Sequence, residues 1–229
     1  MVHVRTVDGR TLDFIVSGKL WRNSLIMQDR QTGSLWSHIT GEALHGAWKG
    51  TRLMMIPVMQ TRWKRCVKQH PDTKLLVKDR EITNSRYESY FEDPQRTGMF
   101  RTEWLRQRMP AKALVHGITR GPHAVAVADG RLSAGGFVQG EIGELPLVVA
   151  RVPDGGVRAH VARSDGVTLV FENQESAIVD KQTSSRWDLA RGLAIAGPEK
   201  GTRLDELVVQ PAFWFAWSSF YPNTRVIDD

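Results

Sequence analysis

The residues best suited to chemistry in this 229-residue chain are a glutamate and two histidines close in sequence, His38, Glu42 and His45. Imidazole and carboxylate groups ligate divalent metals and act as general acids and bases. The trio is therefore the candidate catalytic set of a metal-assisted enzyme. Gly41 and Gly46 interrupt it, so the segment reads as strand and turn, a pattern that does not by itself aim three side chains at one point. A second grouping is Asp29, Thr32, Ser34 and Trp36, which recurs as Asp180, Thr183, Ser185 and Trp187. Here the expected chemistry is structural. Each aspartate closes an Asx turn, the Thr and Ser hydroxyls reinforce it, and the tryptophan enters the core with a partner for its indole N–H.

Both groupings belong to a longer correspondence. Residues 29–76 and 180–227 align without a gap at an offset of 151. Identical pairs include Gln31/Gln182, Gly41/Gly192, Ala43/Ala194, Gly46/Gly197, Gly50/Gly201, Thr51/Thr202, Arg52/Arg203, Leu53/Leu204, Trp63/Trp214, Pro71/Pro222 and Thr73/Thr224. Upstream the match resumes with a shift, residues 7–14 resembling 164–171. Self-similarity of this kind signals a repeated structural unit. It also sorts the candidates. Residues kept in both copies are the expected scaffold. His38, Glu42 and His45 stand opposite Leu189, Leu193 and Ala196, so they are the ones free to carry function.

The elements that must position these residues read mainly as β. Residues 2–6 and 11–16 alternate apolar and polar around Asp8-Gly9, a hairpin signal because a type I′ turn needs positive φ. Asp165-Gly166 repeats it, and Asp129-Gly130 and Asp154-Gly155 mark further turns. Each copy is expected to hold one short helix. Residues 61–70 group Trp63, Cys66 and Val67 on one face, and residues 212–221 group Phe213, Trp217 and Phe220. Both stop at a proline, Pro71 or Pro222. A closing strand is expected after each, at 74–77 and 224–227. Residues 111–163 predict four or five strands leading into the second copy, with no counterpart before the first. Between the copies, 78–110 is polar and contains Tyr87, Tyr90, Phe91 and Trp104. A connection of that length is functional or a cover. His70 is expected to cap its helix end. Tyr87, Tyr90, Glu92 and Asp93 are candidates to line a cleft between the copies.

Composition narrows the classes. Apolar residues form 41% and charged residues 24%, the profile of a globular protein. No apolar run reaches membrane-span length, and the N-terminal residues lack an apolar signal region. This predicts a cytoplasmic protein, or an extracytoplasmic one if a leader lies outside the sequence. The single cysteine, Cys66, builds neither an intrachain disulfide nor a Cys-rich zinc site. The net charge of +6 is spread along the chain without a basic run, which argues against nucleic acid as the partner. No phosphate loop, nucleophile elbow, HExxH motif or zinc-finger spacing is present.

The segments Asp-Arg-Gln-Thr-Gly-Ser-Leu-Trp-Ser (29–37), Thr-Gly-Glu-Ala (40–43), Gly-Thr-Arg-Leu (50–53), His-Pro-Asp-Thr (70–73), Val-Ser-Gly-Lys-Leu (16–20), Gly-Arg-Thr-Leu (9–12) and Trp-Phe-Ala-Trp (214–217) resemble the bacterial and archaeal domain-of-unknown-function family 3179. The likeness is weakest over 78–160. It implies internal duplication and no established activity, and many relatives look extracytoplasmic. Glu42 matches the family's Thr-Gly-Glu-Ala stretch, whereas His38 stands where relatives carry Gln. Relatives also carry a further β segment ending in a Cys-Pro-x-Cys-like motif. This sequence shows no such motif, so no metal or redox role follows from it. The family's Asn-Pro-Tyr is replaced around Ser89-Tyr90.

The sequence thus predicts a mainly β, β-rich α+β fold of two pseudo-symmetric repeat units made of short strands and hairpins, each with one short helix. The first unit, shortened, spans 1–77; 78–110 connects; 111–229 is the second unit with its leading β segment. The expected function is a binding or protein-interaction module whose partner is a small molecule or a protein. Its candidate pocket residues are Trp36, Glu42, Tyr87, Tyr90 and Trp187, and the cofactor is left open. The alternative is the enzyme using His38, Glu42 and His45.

Overall fold

A computed structural model describes residues 1–75, 77, 87–94, 96–98, 108–132, 136–153, 155–175 and 177–227. The fold is mostly β. The N-terminal part contains β1 (Thr6–Val7), β2 (Arg10–Thr11), β3 (Phe14–Trp21), β4 (Ser24–Asp29), β5 (Leu35–Ser37) and β6 (Ala43–His45), then α1 (Trp63–Gln69). After α2 (Glu88–Glu92) come β7 (Leu114–Arg120), β8 (His123–Ala128), β9 (Phe137–Ile142), β10 (Leu145–Arg151) and β11 (Val157–Val161). The chain continues with β12 (Arg163–Ser164), β13 (Val167–Thr168), β14 (Phe171–Gln174), β15 (Ala177–Asp180), β16 (Arg186–Asp188) and β17 (Leu193–Ala196). It ends with β18 (Glu206–Leu207), β19 (Gln210–Phe213), α3 (Trp214–Phe220) and β20 (Arg225–Val226). No helix among the described residues is long and apolar enough to cross a membrane.

Two four-stranded antiparallel meanders, β3-β4-β5-β6 and β14-β15-β16-β17, carry the two Asp/Thr/Ser/Trp groupings. Each follows a two-stranded hairpin whose tip has positive φ at both residues, Asp8 and Gly9 or Asp165 and Gly166. That is the type I′ geometry the sequence called for. Under each meander lies a small core around a buried tryptophan. Val7, Leu12, Trp36, Ala43 and Leu53 form one, with Phe14 packed against it; Leu169, Phe171, Trp187, Ala194 and Leu204 are prominent in the other. Phe14 meets Trp36 edge-on at 5.7 Å, and Phe171 meets Trp187 edge-on at the same distance.

The remaining sheets belong to the C-terminal part. β18-β11-β10-β9 packs on β19-β7-β8-β20, and together they bury Ile118, Val127, Ile142, Leu147, Val149 and Ala159. The other face of β7 and β8 takes Trp214 and Trp217 of α3. Gly117 on β7 admits Trp217, since a Cβ there would stand 2.3 Å from the indole ring. The tip of the β3-β4 hairpin reaches across to α3. Trp21 meets Phe220 edge-on at 5.1 Å, and Arg22 lies over Trp21 and donates to the Ser219 carbonyl.

Several expectations need correction. The second helix begins at Trp214, so Phe213 lies in β19; its backbone is taken by Leu114 of β7 before a helix can use it. Lys74, Leu75 and Val77 form no strand, while the matching stretch is β20, which pairs in parallel with β8. Asp129-Gly130 forms a 3-10 turn rather than a hairpin tip, and Gly130 does not have positive φ. α2 is an element the sequence reading left as loop. Leu76, Trp104 and Asp154 lie outside the described residues.

Candidate functional site

The Asp29 carboxylate is buried and fully engaged. It accepts from the Thr32 N–H at 2.7 Å, the Thr32 hydroxyl at 2.8 Å and the Trp36 indole N–H at 2.8 Å. Asp180 accepts from the Thr183 N–H at 2.6 Å, the Thr183 hydroxyl at 2.8 Å and the Trp187 indole N–H at 2.9 Å. Ser34 and Ser185 each bond the threonine hydroxyl at 2.7 Å. Burial alone pushes both carboxyls up, but the tryptophan, threonine and serine donors outweigh it and hold both below the ordinary carboxylate value. These six residues are turn fasteners at both places. Trp36 and Trp187 are spent on the same task, buried with their indole nitrogens bonded.

The structure does not bring His38, Glu42 and His45 into one network. His38 Nδ1 lies 3.2 Å from the Ser24 hydroxyl, and burial lowers its pKa, helped by the N-terminal charge and His3. Glu42 pairs with Arg52 at 2.6 Å, and His45 is exposed on β6 opposite Leu35. Among the described residues no group of three or more His, Cys, Asp or Glu is arranged to hold a metal ion. Tyr87 is exposed at the start of α2. Tyr90 packs near Phe91 and Phe213 and lies under the Lys112 ammonium at 3.9 Å. Neither tyrosine, nor Glu42, nor either tryptophan lines the main cavity described next.

That cavity is a cleft of about 710 Å³ between residues 58–65 and the C-terminal sheets. One wall is Val58, Gln60, Thr61, Arg62 and Arg65; the other includes Leu114, His116, Asp129, Arg151, Val157, Val209 and Pro211. Arg65 donates to the Pro153 carbonyl at 2.6 Å and ties the walls together. On the far wall, Arg151 spends its guanidinium on Asp129 at 2.6 Å and on the carbonyls of Leu132 and Gly155. His116 Nε2 is 2.7 Å from the same carboxylate, so the imidazole donates through Nε2 and leaves Nδ1 as a bare acceptor. Burial lowers the His116 pKa against the raising effect of Asp129, and the ring is neutral at pH 7. Burial pushes Asp129 up, yet Arg151 and His116 together hold it below its ordinary value. His116 Nδ1 and the Thr61 hydroxyl, both on lining residues, are buried without a hydrogen-bond partner among the described residues. Because Nδ1 is shut away from solvent, the His116–Asp129–Arg151 set acts as a strut. On the opposite wall stand the guanidinium of Arg62, the polar side chains of Gln60 and Thr61, and Arg65, which the Pro153 carbonyl engages.

Sequence reasoning missed this cleft. Its residues come from five separated stretches, and Asp129 looked like a turn residue only. It also missed His3 and His160, which occupy matching places at the shifted register. His3 bonds the His38 carbonyl at 2.9 Å, and His160 bonds the Leu189 carbonyl at 3.0 Å. Extending the upstream alignment from residues 7–14 back to residue 3 was the available signal.

The family model described as "Protein of unknown function (DUF3179)" matches residues 1–224. Nothing matches among curated proteins or among solved structures.

Proposed function

The chain belongs to the DUF3179 family, whose members are described only as proteins of unknown function, and we propose that it is a binding module of two related units that holds a small anionic molecule in the cleft at their junction. The units are 1–77 and 111–229, joined by 78–110. Support for two related units comes from bonds repeated in detail. Besides the two aspartate networks, Asp13 and Val170 donate their N–H groups to Gln31 and Gln182 at 2.9 Å in both places. Coupled replacements point the same way. Ser164 donates to Glu199 at 2.8 Å, and the corresponding positions hold Val7 and Trp48, which belong to one apolar cluster.

The observation that carries the ligand reading is the placement of Arg62 and Arg65 on the wall of the 710 Å³ cleft. Small-molecule sites typically occupy about 300–1,000 Å³ and combine an apolar lining with a few polar groups. Guanidiniums bind carboxylate or phosphate oxygens in pairs, and Leu114, Val157, Val209 and Pro211 offer an apolar wall for the rest of the molecule. A net charge of +6 favours the approach of anions.

The test is thermal unfolding at low salt with glutarate and with inorganic phosphate. Either should raise the melting temperature of the wild type and not of an Arg62→Glu, Arg65→Glu double variant. Equal responses in the two proteins, or none in either, would rule out the cleft reading. The metal-assisted alternative draws no support from the separate partners of His38, Glu42 and His45.

A further inference from the structure

We propose that the ligand of the cleft is an anionic polyol, a hydroxylated carbon chain or ring carrying one carboxylate or phosphate, with its anion on Arg62 and its hydroxyls on Asp129 and Gln60. This rests on the cleft as the binding site and names the chemistry it takes.

The argument starts from a carboxylate that is half engaged. Asp129 Oδ1 accepts both of the bonds that reach this side chain, from His116 Nε2 at 2.7 Å and from Arg151 at 2.6 Å. Oδ2 accepts from nothing among the described residues. The side chain is 37% exposed and lines the cleft. Oδ2 is not shut away from solvent as His116 Nδ1 is, so it is the oxygen open to a ligand. The two bonds on Oδ1 fix the carboxylate, and Oδ2 is held in place before anything binds. Burial pushes Asp129 up, but Arg151 and His116 outweigh it, and the group is ionised at pH 7. An ionised carboxylate only accepts hydrogen bonds. The ligand group that meets Oδ2 must therefore be a donor.

Charge decides which donor. Burial keeps His116 neutral, so Asp129 and Arg151 form a pair with no net charge. An ammonium on Oδ2 would press a second cation against the Arg151 guanidinium, with no spare anion to hold it. A hydroxyl gains a charge-assisted bond without that repulsion. Gln60, exposed on the opposite wall, adds a carboxamide that both donates and accepts, as a hydroxyl does. The anionic end falls to Arg62. Arg65 is engaged by the Pro153 carbonyl, whereas the exposed Arg62 guanidinium has no hydrogen-bond or ion-pair partner among the described residues. Leu114, Val209 and Pro211 supply carbon surface for the C–H faces of the chain or ring.

The test is a titration of the isotope-labelled full chain at low salt, read by amide chemical shifts. The probes are gluconate and glucose 6-phosphate, with hexanoate and hexyl phosphate as references that keep the anion and lack the hydroxyls. At least one polyol should bind, and the stronger of the two identifies the anionic end as carboxylate or phosphate. The ratio of its affinity to that of its reference should fall about tenfold in Asp129→Asn, as for one hydrogen bond to a charged group worth roughly 1.4 kcal/mol. Taking the ratio cancels the effect of the altered charge on the anionic end. Gln60→Ala should lower the same ratio about threefold, as for a neutral hydrogen bond. 6-Aminohexanoate should bind no more tightly than hexanoate. If Asp129→Asn fails to fold, Gln60→Ala and the amine probe decide. The proposal is overturned if neither polyol binds, if the ratio is unchanged in the variants, or if 6-aminohexanoate outbinds hexanoate. Glutarate stabilisation that persists in these cases, and is lost in the Arg62→Glu, Arg65→Glu double variant, leaves the cleft reading standing. Loss of every response removes both.

Discussion

α1 and α3 are seven residues long and have matching entry and exit geometry, yet one is a surface helix and the other a core helix. α1 has no buried residue; α3 buries Trp214, Phe215, Trp217, Ser218, Ser219 and Phe220. The cause lies outside the helices. β7 and β8 pack on α3, and the Trp21–Arg22 tip of β3-β4 closes on α3 from another side. Composition follows the cover, with Lys64, Arg65 and Lys68 where α3 has Phe215, Ala216 and Ser219. Helix burial here is decided by strands a hundred residues upstream of α3, not by helical periodicity.

The sharpest way to break this comparison is to truncate matched positions. Trp217→Ala should cost about 3–5 kcal/mol, as large-to-small core changes do, whereas Cys66→Ala should cost less than about 1 kcal/mol. Urea unfolding midpoints measure both, and similar costs would mean that α1 is covered as α3 is. The aspartate networks should instead behave as equals. Asp29→Ala and Asp180→Ala each remove an anion that holds several buried donors, and each should cost about 3 kcal/mol. A silent Asp29→Ala would show that the two meanders are not held alike.

A pH titration sharpens the comparison further. His3, His38, His116 and His160 all have lowered pKa values, with burial the largest cause. Below the ordinary histidine value of about 6.5 the unfolded chain binds more protons than the folded one, so stability falls as pH drops through that point. His160→Gln should reduce this slope, measured as melting temperature against pH. Asp29 and Asp180, also lowered, keep their contribution above about pH 4 and lose it as pH falls toward their folded values. A modest effect is expected at the junction. Arg22→Ala removes a cation over Trp21 and a bond to the Ser219 carbonyl, worth about 1 kcal/mol.

Much of the fold was legible because local chemistry dictated it. Asp8-Gly9 and Asp165-Gly166 require positive φ and deliver it, and the Asp-Thr-Ser-Trp spacing places four groups within bonding distance inside one turn. What stayed hidden depends on pairing between distant strands. Phe213 reads as a helix residue until β7 claims its backbone. Arg62, Arg65 and His116 have no local signature, and only the packing of 58–65 on the C-terminal sheets makes them neighbours of one cleft. The contrast between shared and unshared positions singled out His38, Glu42 and His45, but standing at unshared positions does not bring side chains together.

The Arg22–Ser219 bond joins residues 197 apart in the chain. During synthesis the β3-β4 hairpin leaves the ribosome long before α3 exists. At about 5–20 residues per second, its Trp21 tip waits on the order of 10–40 seconds without the surface that will cover it. That interval leaves the tip open to a chaperone or to association with a neighbouring chain, and it closes only as α3 is made.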